Sequence, residues 1–188
     1  AVIDTRTYED GSFLFFATKN GHVKKTRMQE YDSPLARNGL IAINLQQGDE
    51  LVRVIQTNGE NDIFLVSKGG MTIRFAESDV RAMGRATAGV RGMKLKNADD
   101  AVVGAAVAQD GEVMLFVSSS GHGKRTKLDA FNRQGRGGQG VRGMRLNAAR
   151  GQVVSAFTVV PGDEVLVFSS AGNIVRIPVD EISEQGRD

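Results

Sequence analysis

The sequence predicts an all-β fold in which a four-stranded unit of about 50 residues is repeated along the chain. Apolar runs that end in a glycine turn recur, and their last glycines are spaced 49, 51 and 51 residues apart, at Gly21, Gly70, Gly121 and Gly172. Residues 1–21 align without a gap with residues 101–121. No apolar stripe keeps helical spacing for 12 residues, so we expect strands rather than helices.

Each unit contains four predicted strands in a fixed order. The first is an apolar run short enough for a buried strand, and the second follows the glycine turn as an alternating segment, as at residues 71–75 and 174–177. The third predicted strand covers residues 40–45, 90–95 and 141–146. The fourth covers residues 51–56, 102–108 and 153–160. Four short strands per unit are typical of the blades of propeller-like folds.

The repeats predict a single domain over residues 1–188 that consists of four-stranded blades. Whole repeats are expected at residues 13–57, 63–108 and 114–160, and half repeats at 1–8 and 165–188. So few blades do not close a disc comfortably, and we therefore expect a partial or open array. An open array exposes sheet edges.

Composition excludes several classes of function. The 188 residues contain no cysteine, which rules out disulfides, thiolate metal sites and a cysteine nucleophile. No apolar run approaches the roughly 20 residues of a membrane span, and residues 1–12 lack the pattern of a signal peptide. We expect a soluble, cytoplasmic protein without a membrane partner.

The net charge of +2 hides a segregated charge distribution. Residues 19–27, 81–96 and 121–150 hold 17 of the 24 Lys and Arg residues and only one acid, Asp129. Such clustering creates a local positive field. Basic loops that are merely solvated are the alternative interpretation.

Superposition of the units aligns the cations in columns. Four residues after each turn glycine stand Lys25, Arg74, Arg125 and Arg176. Fifteen or sixteen residues after it stand Arg37, Arg85, Arg136 and Arg187. Two further columns are basic in the middle units and pair Arg91 with Arg142 and Lys94 with Arg145. Lys24 and Lys124 adjoin the first column. Because a solvated face has no reason to repeat its sign, the columns favour a cationic track.

Such a track suits a ligand with regularly spaced negative charge, and duplex DNA is the obvious one. No helix is predicted that could read bases in the major groove, so we expect sequence-independent contacts to phosphates, with DNA bendability deciding preference. Single-strand grooves use aromatic platforms, whereas the basic windows contain only Phe131.

The loop QGRGGQG at residues 134–140 lies in the third basic window. Gly135, Gly137 and Gly140 satisfy the G-x-G-x-x-G pattern, but a dinucleotide site also needs a following helix and an acid about 20 residues further on. Here the strand-like VRGMRL follows and position 160 is a valine. The counterpart in the preceding unit, GRATAGVRGM, is not an RGG repeat. We therefore predict an ordered loop that leads into a strand.

The blades and this loop resemble the C-terminal domain of the DNA gyrase A subunit, whose signature box reads Q-R-R-G-G-K-G. The resemblance extends over essentially all 188 residues. The residues that match the box are Gln134, Arg136, Gly137, Gly138 and Gly140. Gly135 and Gln139 stand where the box has an Arg and a Lys. The family's box lies in the first blade, whereas this loop belongs to the third unit present.

The resemblance implies a β-pinwheel that wraps duplex DNA around its rim, with residues 134–140 as the box or a box-like copy. It implies an accessory, non-catalytic domain of an ATP-dependent type IIA topoisomerase, whose partners are the B subunit and the rest of the gyrase A subunit. The related topoisomerase IV subunit has a similar domain with a degraded or absent box. The cleavage tyrosine of the family belongs to another domain, and the resemblance implies no cofactor for this one.

Residues that suggest catalysis have simpler interpretations. His22 and His122 occupy equivalent positions without a repeated acid beside them, so we expect turn or phosphate-facing side chains rather than metal ligands. Tyr8 and Tyr31 lack the acidic cluster that DNA cleavage requires. The acidic pairs at 49–50, 99–100 and 163–164 are expected to be solvated turns before the fourth strand.

Two rival functions are compatible with the same sequence. The first is a protein-binding propeller of the chromatin-regulator type that recognises an acidic partner, and the second is a propeller enzyme. Binding that does not increase with DNA length would favour the first, and hydrolysis at an acidic centre that breaks the repeat would favour the second.

Overall fold

The computed structural model describes residues 11–33, 39–109 and 111–188 as an all-β protein, which confirms the predicted fold class. The first two units contribute β1 (Phe13–Thr18), β2 (His22–Arg27), β3 (Leu51–Thr57), β4 (Asp62–Ser67), β5 (Met71–Ala76), β6 (Val90–Arg91) and β7 (Val102–Val107). The others contribute β8 (Val113–Ser118), β9 (Gly123–Lys127), β10 (Val141–Arg142), β11 (Val153–Val159), β12 (Glu164–Phe168) and β13 (Ile174–Pro178). Single 3₁₀ turns follow the second strand of each unit, at Met28–Tyr31, Glu77–Asp79, Leu128–Ala130 and Val179–Glu181.

The turn glycines close four antiparallel hairpins, β1–β2, β4–β5, β8–β9 and β12–β13. Gly21 has a φ of 85° and Gly70 a φ of 80°, in the left-handed region that favours glycine. A Cβ on Gly21 would lie 2.5 Å from the carbonyl oxygen of Met93. Gly21 and Gly70 are therefore required both by the turn and by the chain segment that crosses over it, whereas Gly121 and Gly172 are required by the positive φ of the turn alone.

The third strand of a unit pairs with the preceding blade rather than with its own. β6 pairs with β2, through His22 with Arg91 and Val23 with Val90, and β10 pairs with β5 in the same way. The sheets have the strand orders β3-β1-β2-β6, β10-β5-β4-β7, β11-β8-β9 and β12-β13. The third strands are two residues long, and residues 40–45 form no strand. The predicted third strand at residues 40–45 was wrong, and the sequence did not show which blade the third strand joins, because periodicity identifies a strand but not its partner.

The apolar core lies between adjacent blades. Successive residues of β4 point to opposite faces of the sheet: Ile63 and Leu65 belong to the cluster shared with the first blade, and Phe64 and Val66 to the cluster shared with the third. All four are at most 1% exposed. The first strand of a central unit is a continuous apolar run because both of its faces are buried. Each such side chain contributes roughly 1.5–3 kcal/mol.

Two of the acidic turns are buried rather than solvated, contrary to the sequence-based interpretation. Asp49 accepts hydrogen bonds from the Thr18 hydroxyl at 2.7 Å and from the Asn20 amide at 2.9 Å. Asp100 accepts equivalent bonds from Ser67 and Gly69. These carboxylates therefore fasten the hairpin turn to the fourth strand. The third pair lies at the start of β12, the first strand of its unit: Asp163 precedes the strand and Glu164 is its first residue.

Several expectations lie outside the described residues, namely the half repeat at residues 1–8 with Tyr8 and the second-column cation Arg37. Within the described part of the chain, no helix is long and apolar enough to cross a membrane.

Candidate nucleic-acid interface

In the first three units, the cation of the first column binds the following blade. The Lys25 ammonium donates to the Glu77 carbonyl at 3.2 Å and lies 3.9 Å from the Glu77 carboxylate. One blade further on, Nη1 of Arg74 donates to the carbonyls of Leu128 and Phe131 at 3.3 and 3.2 Å. In both cases the acceptors lie in or beside the 3₁₀ turn of the following unit.

Arg125 repeats the arrangement, with Nε donating to the Ile182 carbonyl at 2.8 Å and Nη1 to the Asp180 carboxylate at 3.3 Å. Arg176, in the fourth unit, is exposed and pairs with Glu164 of its own hairpin. A structural role thus explains why the sign repeats in this column. Because Lys25, Arg74 and Arg125 bind the neighbouring blade, these three cations are not free to contact phosphates.

Lys24 and Lys124 are buried, contrary to their predicted place on a DNA-binding surface. Lys24 is 0% and Lys124 4% exposed. Lys24 donates to the Ala42 carbonyl at 2.5 Å and also to the carbonyl of Arg85, and Lys124 donates to the Gly186 carbonyl at 2.6 Å. Burial and the neighbouring Arg85 lower the pKa of Lys24 to about 8, and burial also lowers the pKa of Lys124.

The second cationic column stands on the segments that cross to the preceding blade. We call residues 83–89, 134–140 and 184–188 the exchange loops. In each loop, the amide of the first or second residue donates at 2.8 Å to the preceding blade, from Met83 to Lys25, from Gln134 to Arg74 and from Gln185 to Arg125. The first two then lead into β6 and β10. Residues 134–140 therefore form an ordered loop that enters a strand, as predicted.

The box-like loop at 134–140 is fastened mainly by its backbone. The Gly137 amide donates to the Gly92 carbonyl at 2.7 Å, and the Lys94 amide donates to the Gly138 carbonyl at 2.8 Å. The exposed Arg136 adds bonds from Nε to the Asp79 carbonyl at 2.9 Å and from Nη1 to the Arg91 carbonyl at 3.0 Å. These contacts bring the loop beside β6.

The remaining predicted cations form two exposed groups at successive blade junctions. We define the first seam as Arg91, Lys94 and Arg136, and the second seam as Arg142, Arg145 and Arg187, and all six are exposed. Arg85, the second-column member of the preceding unit, is half-buried. Gly135 and Gln139 of the box-like loop are exposed, and Gln134 is partly buried.

The second seam already holds an anionic group. Nη1 of Arg142 donates to one carboxylate oxygen of Asp188 at 3.1 Å, and Nη2 of Arg145 donates to the other at 2.7 Å. These hydrogen bonds hold the pKa of the Asp188 carboxyl below its usual range. Two arginine side chains that converge on a carboxylate can converge in the same way on a phosphate.

Two exposed cations near the first seam, Arg81 and Lys96, were not predicted from the sequence. Their counterparts in the next unit are Asn132 and Asn147, so a search for repeated charge could not select them. Their position within the second basic window was the only signal available.

Among the described residues, those considered for catalysis occupy structural or solvated positions. The Tyr31 hydroxyl donates to the Ala42 carbonyl at 3.2 Å, and burial raises the pKa of this phenol. His22 lies 3.5 Å from the Asp49 carboxylate, whereas His122 is exposed. Over the residues that the structure describes, no three His, Asp or Glu side chains are placed to hold a metal ion.

Strand exchange between repeated blades, with cations along the junctions, defines a propeller-like class of domain. The sequence profile described as "DNA gyrase C-terminal domain, beta-propeller" matches residues 12–58, 61–109, 112–159 and 163–188. The chain belongs to this family.

Similar proteins agree with this assignment. The chain is 39% identical over 188 residues to the DNA gyrase A subunit of Mycolicibacterium smegmatis, covering 99% of the chain and 22% of that protein. It is 41% identical to the DNA gyrase A subunit of Salmonella typhimurium, covering 100% of the chain and 21% of that protein. The chain thus spans about a fifth of the length of these relatives.

Two solved structures share the fold. The C-terminal domain of DNA topoisomerase IV superposes with a TM-score of 0.91 at 30% identity, covering 98% of this chain and 58% of that one. A DNA gyrase A C-terminal domain superposes with a TM-score of 0.85 at 28% identity, covering 98% of this chain and 61% of that one.

Proposed function

We propose that this chain binds and bends duplex DNA through phosphate contacts at its blade junctions, as part of a gyrase A subunit. The observation that carries the proposal is the pair of arginines, Arg142 and Arg145, that grip one carboxylate at the second seam. The equivalent positions of the preceding unit, Arg91 and Lys94, are also basic and exposed. Successive junctions therefore present the same charge to the ligand.

The expected binding is independent of base sequence. Exposed arginines and lysines neutralise phosphates, whereas base reading requires an element that enters a groove. In the described residues, the helical segments are 3₁₀ turns of three or four residues, which are too short to act as recognition helices. Because the seams lie at successive blade junctions, we expect a duplex to bend in order to contact more than one of them, so bendable DNA is favoured.

In the intact enzyme, the chain would act in the cytoplasm beside the B subunit and the remaining domains of the gyrase A subunit. ATP-dependent strand passage would belong to those other domains, so we expect no catalysis and no cofactor requirement for this chain alone. Topoisomerase assays of the full enzyme with and without the seam cations would test that division of labour.

The direct test is a salt series of equilibrium binding to duplexes of about 20 and 100 base pairs. If the six seam cations each engage a phosphate, log K falls against log salt with a slope of roughly −5, and the longer duplex binds more tightly. Arg91→Ala and Arg142→Ala each reduce the slope by about one. Arg53→Ala is the matched control, because Arg53 is exposed on β3, at the opposite edge of its sheet from β6.

A weak response that ignores both salt and DNA length would contradict the proposal. It would favour the rival function, an acidic protein surface as the partner of the seams.

A further inference from the structure

A single side chain of the preceding blade lies beneath each exchange loop. It is the third residue after the turn glycine, namely Lys24, Ile73 or Lys124. Lys24 reaches up to the carbonyl of Arg85, in the loop 83–89. Lys124 reaches in the same way to the carbonyl of Gly186, in the loop 184–188. Beneath the box-like loop, Ile73 offers only a methyl group, which lies near Gly138.

The chemistry of this side chain changes together with the chemistry of the loop. Above Ile73, the loop carries Gly137 and Gly138 and makes two backbone hydrogen bonds to the neighbouring segment 92–94. Above Lys24, the equivalent residues are Ala86 and Thr87, and one backbone bond remains, from the Asn44 amide to the Thr87 carbonyl at 3.1 Å. The Lys24 ammonium compensates, because it binds the loop through Arg85 and the neighbouring segment through Ala42.

The loop that Lys24 fastens carries a cation with unsatisfied hydrogen-bonding capacity. Nη1 of Arg85 is enclosed and has no hydrogen-bond partner, while the side chain as a whole is half-buried. One of its charged neighbours is Lys24, which is of like sign. An enclosed guanidinium nitrogen without an acceptor is costly. Because the side chain as a whole is only half-buried, an anion can bind the part of the guanidinium that is not enclosed.

We propose that Lys24 is a positioning residue for DNA binding, which never touches DNA but holds the loop 83–89 so that Arg85 can take a backbone phosphate. Arg85 would thereby add one phosphate contact at the blade junction that precedes the first seam. Lys124 performs the same task for Arg187 at the second seam. This inference rests on the proposed function and adds a buried determinant to it.

The test is a double-mutant cycle in which DNA affinity and its salt slope are measured for Lys24→Met, Arg85→Ala and the double variant. Methionine keeps the length and volume of lysine but cannot donate a hydrogen bond. We expect each single variant to lose about one unit of salt slope, and the double variant to lose no more than either one. Ile73→Met is the matched control, and it should leave DNA binding unchanged because the loop above it is held by its backbone.

A second readout separates positioning from general destabilisation. Amide hydrogen exchange should accelerate in residues 83–89 of the Lys24→Met variant while β4 and β8 keep their protection. Lys24→Ile combined with Ala86→Gly and Thr87→Gly recreates the arrangement above Ile73 and should restore the salt slope.

Three outcomes would overturn the inference. They are a Lys24→Met variant that binds DNA like the wild type, losses that add in the double variant, and wild-type exchange rates in residues 83–89. If Lys24→Met does not fold, the same cycle with Lys124→Met and Arg187→Ala decides the question. Failure of the wild-type chain to bind any duplex would instead contradict the proposed function, so the two failures are distinguishable.

Discussion

Nη1 of Arg74, on one blade, donates a hydrogen bond of 3.2 Å to the carbonyl of Phe131, on the next blade. Nη2 of the same guanidinium lies 2.7 Å from the carboxylate of Asp62, a buried residue that is 7% exposed. The ring of Phe131 packs edge-on against Phe64 beneath it, with a centroid separation of 5.8 Å. One cation therefore joins two blades at the point where their shared apolar core ends.

Arg74→Ala is expected to destabilise the fold by about 2–4 kcal/mol, because it removes the interblade bonds and leaves the Asp62 carboxylate with only Arg133 as a charged partner. Urea unfolding measures the loss. Arg176→Ala, at the equivalent but exposed position, is the control and should change stability little. An Arg74→Ala variant of normal stability that loses one unit of salt slope would show instead that Arg74 contacts DNA.

Gly140→Ala should destabilise the fold by about 2 kcal/mol or more. Gly140 has a φ of 74°, and a Cβ there would lie 2.2 Å from the carbonyl oxygen of Thr72, on the blade that receives the box-like loop. Gly135→Ala in the same loop is the control, since a Cβ at that position meets nothing within 4 Å. Equal unfolding midpoints for the two variants would refute a steric role for Gly140.

Asp188→Asn should increase DNA affinity by about two- to fivefold at low salt, the range of an exposed ion pair. The carboxylate competes with a phosphate for Arg142 and Arg145, and the amide that replaces it carries no charge. Fluorescence anisotropy with a labelled duplex measures the change. Glu181→Gln, which neutralises an exposed acid that forms no ion pair with either arginine, is the control. Equal gains from both variants would mean that only net charge matters.

The lowered pKa of Lys24 predicts that the stability of the fold depends on pH. Its pKa is lowered from 10.5 to about 8 in the folded chain, so the unfolded chain binds the extra proton between these values. Stability therefore rises with pH between about 8 and 10.5 through this group, and its cost is greatest below pH 8. The unfolding free energy of the wild type should rise relative to that of Lys24→Met over this interval, as measured by urea unfolding at each pH. Parallel curves for the two proteins would contradict the lowered pKa.

The charge repeated between units has two different explanations. Arg136 and Arg187 of the second column are exposed on exchange loops, and Arg91 and Arg142 are exposed on the strands that follow two of these loops; a phosphate contact remains the proposal for all four. In the first three units, the cation of the first column binds carbonyls in or beside the 3₁₀ turn of the neighbouring blade, which gives a structural reason for the repeated sign. Sequence comparison between units detects a repeated requirement, but the requirement can be a ligand or another blade.

Burial of charge was equally invisible to pattern analysis. Lys24 and Lys25 are adjacent in a strand and point to opposite faces of the sheet, yet both are buried, because the exchange loop covers one and the following 3₁₀ turn covers the other. The covering residues lie further along the chain, Glu77 by 52 residues from Lys25 and Arg85 by 61 residues from Lys24. No local window contains both the lysine and the carbonyl that it binds.

By itself, the sequence determined the repeat, the first and second strands of the four units and the fourth strand of the three whole ones. It also determined the glycine turns and the ordered loop at 134–140, because periodicity and turn chemistry are local properties. Only the tertiary structure decided that the third strand crosses to the preceding blade, and which cations stay exposed. Those outcomes depend on hydrogen bonds and burial between units, and such contacts form only when the blades pack together.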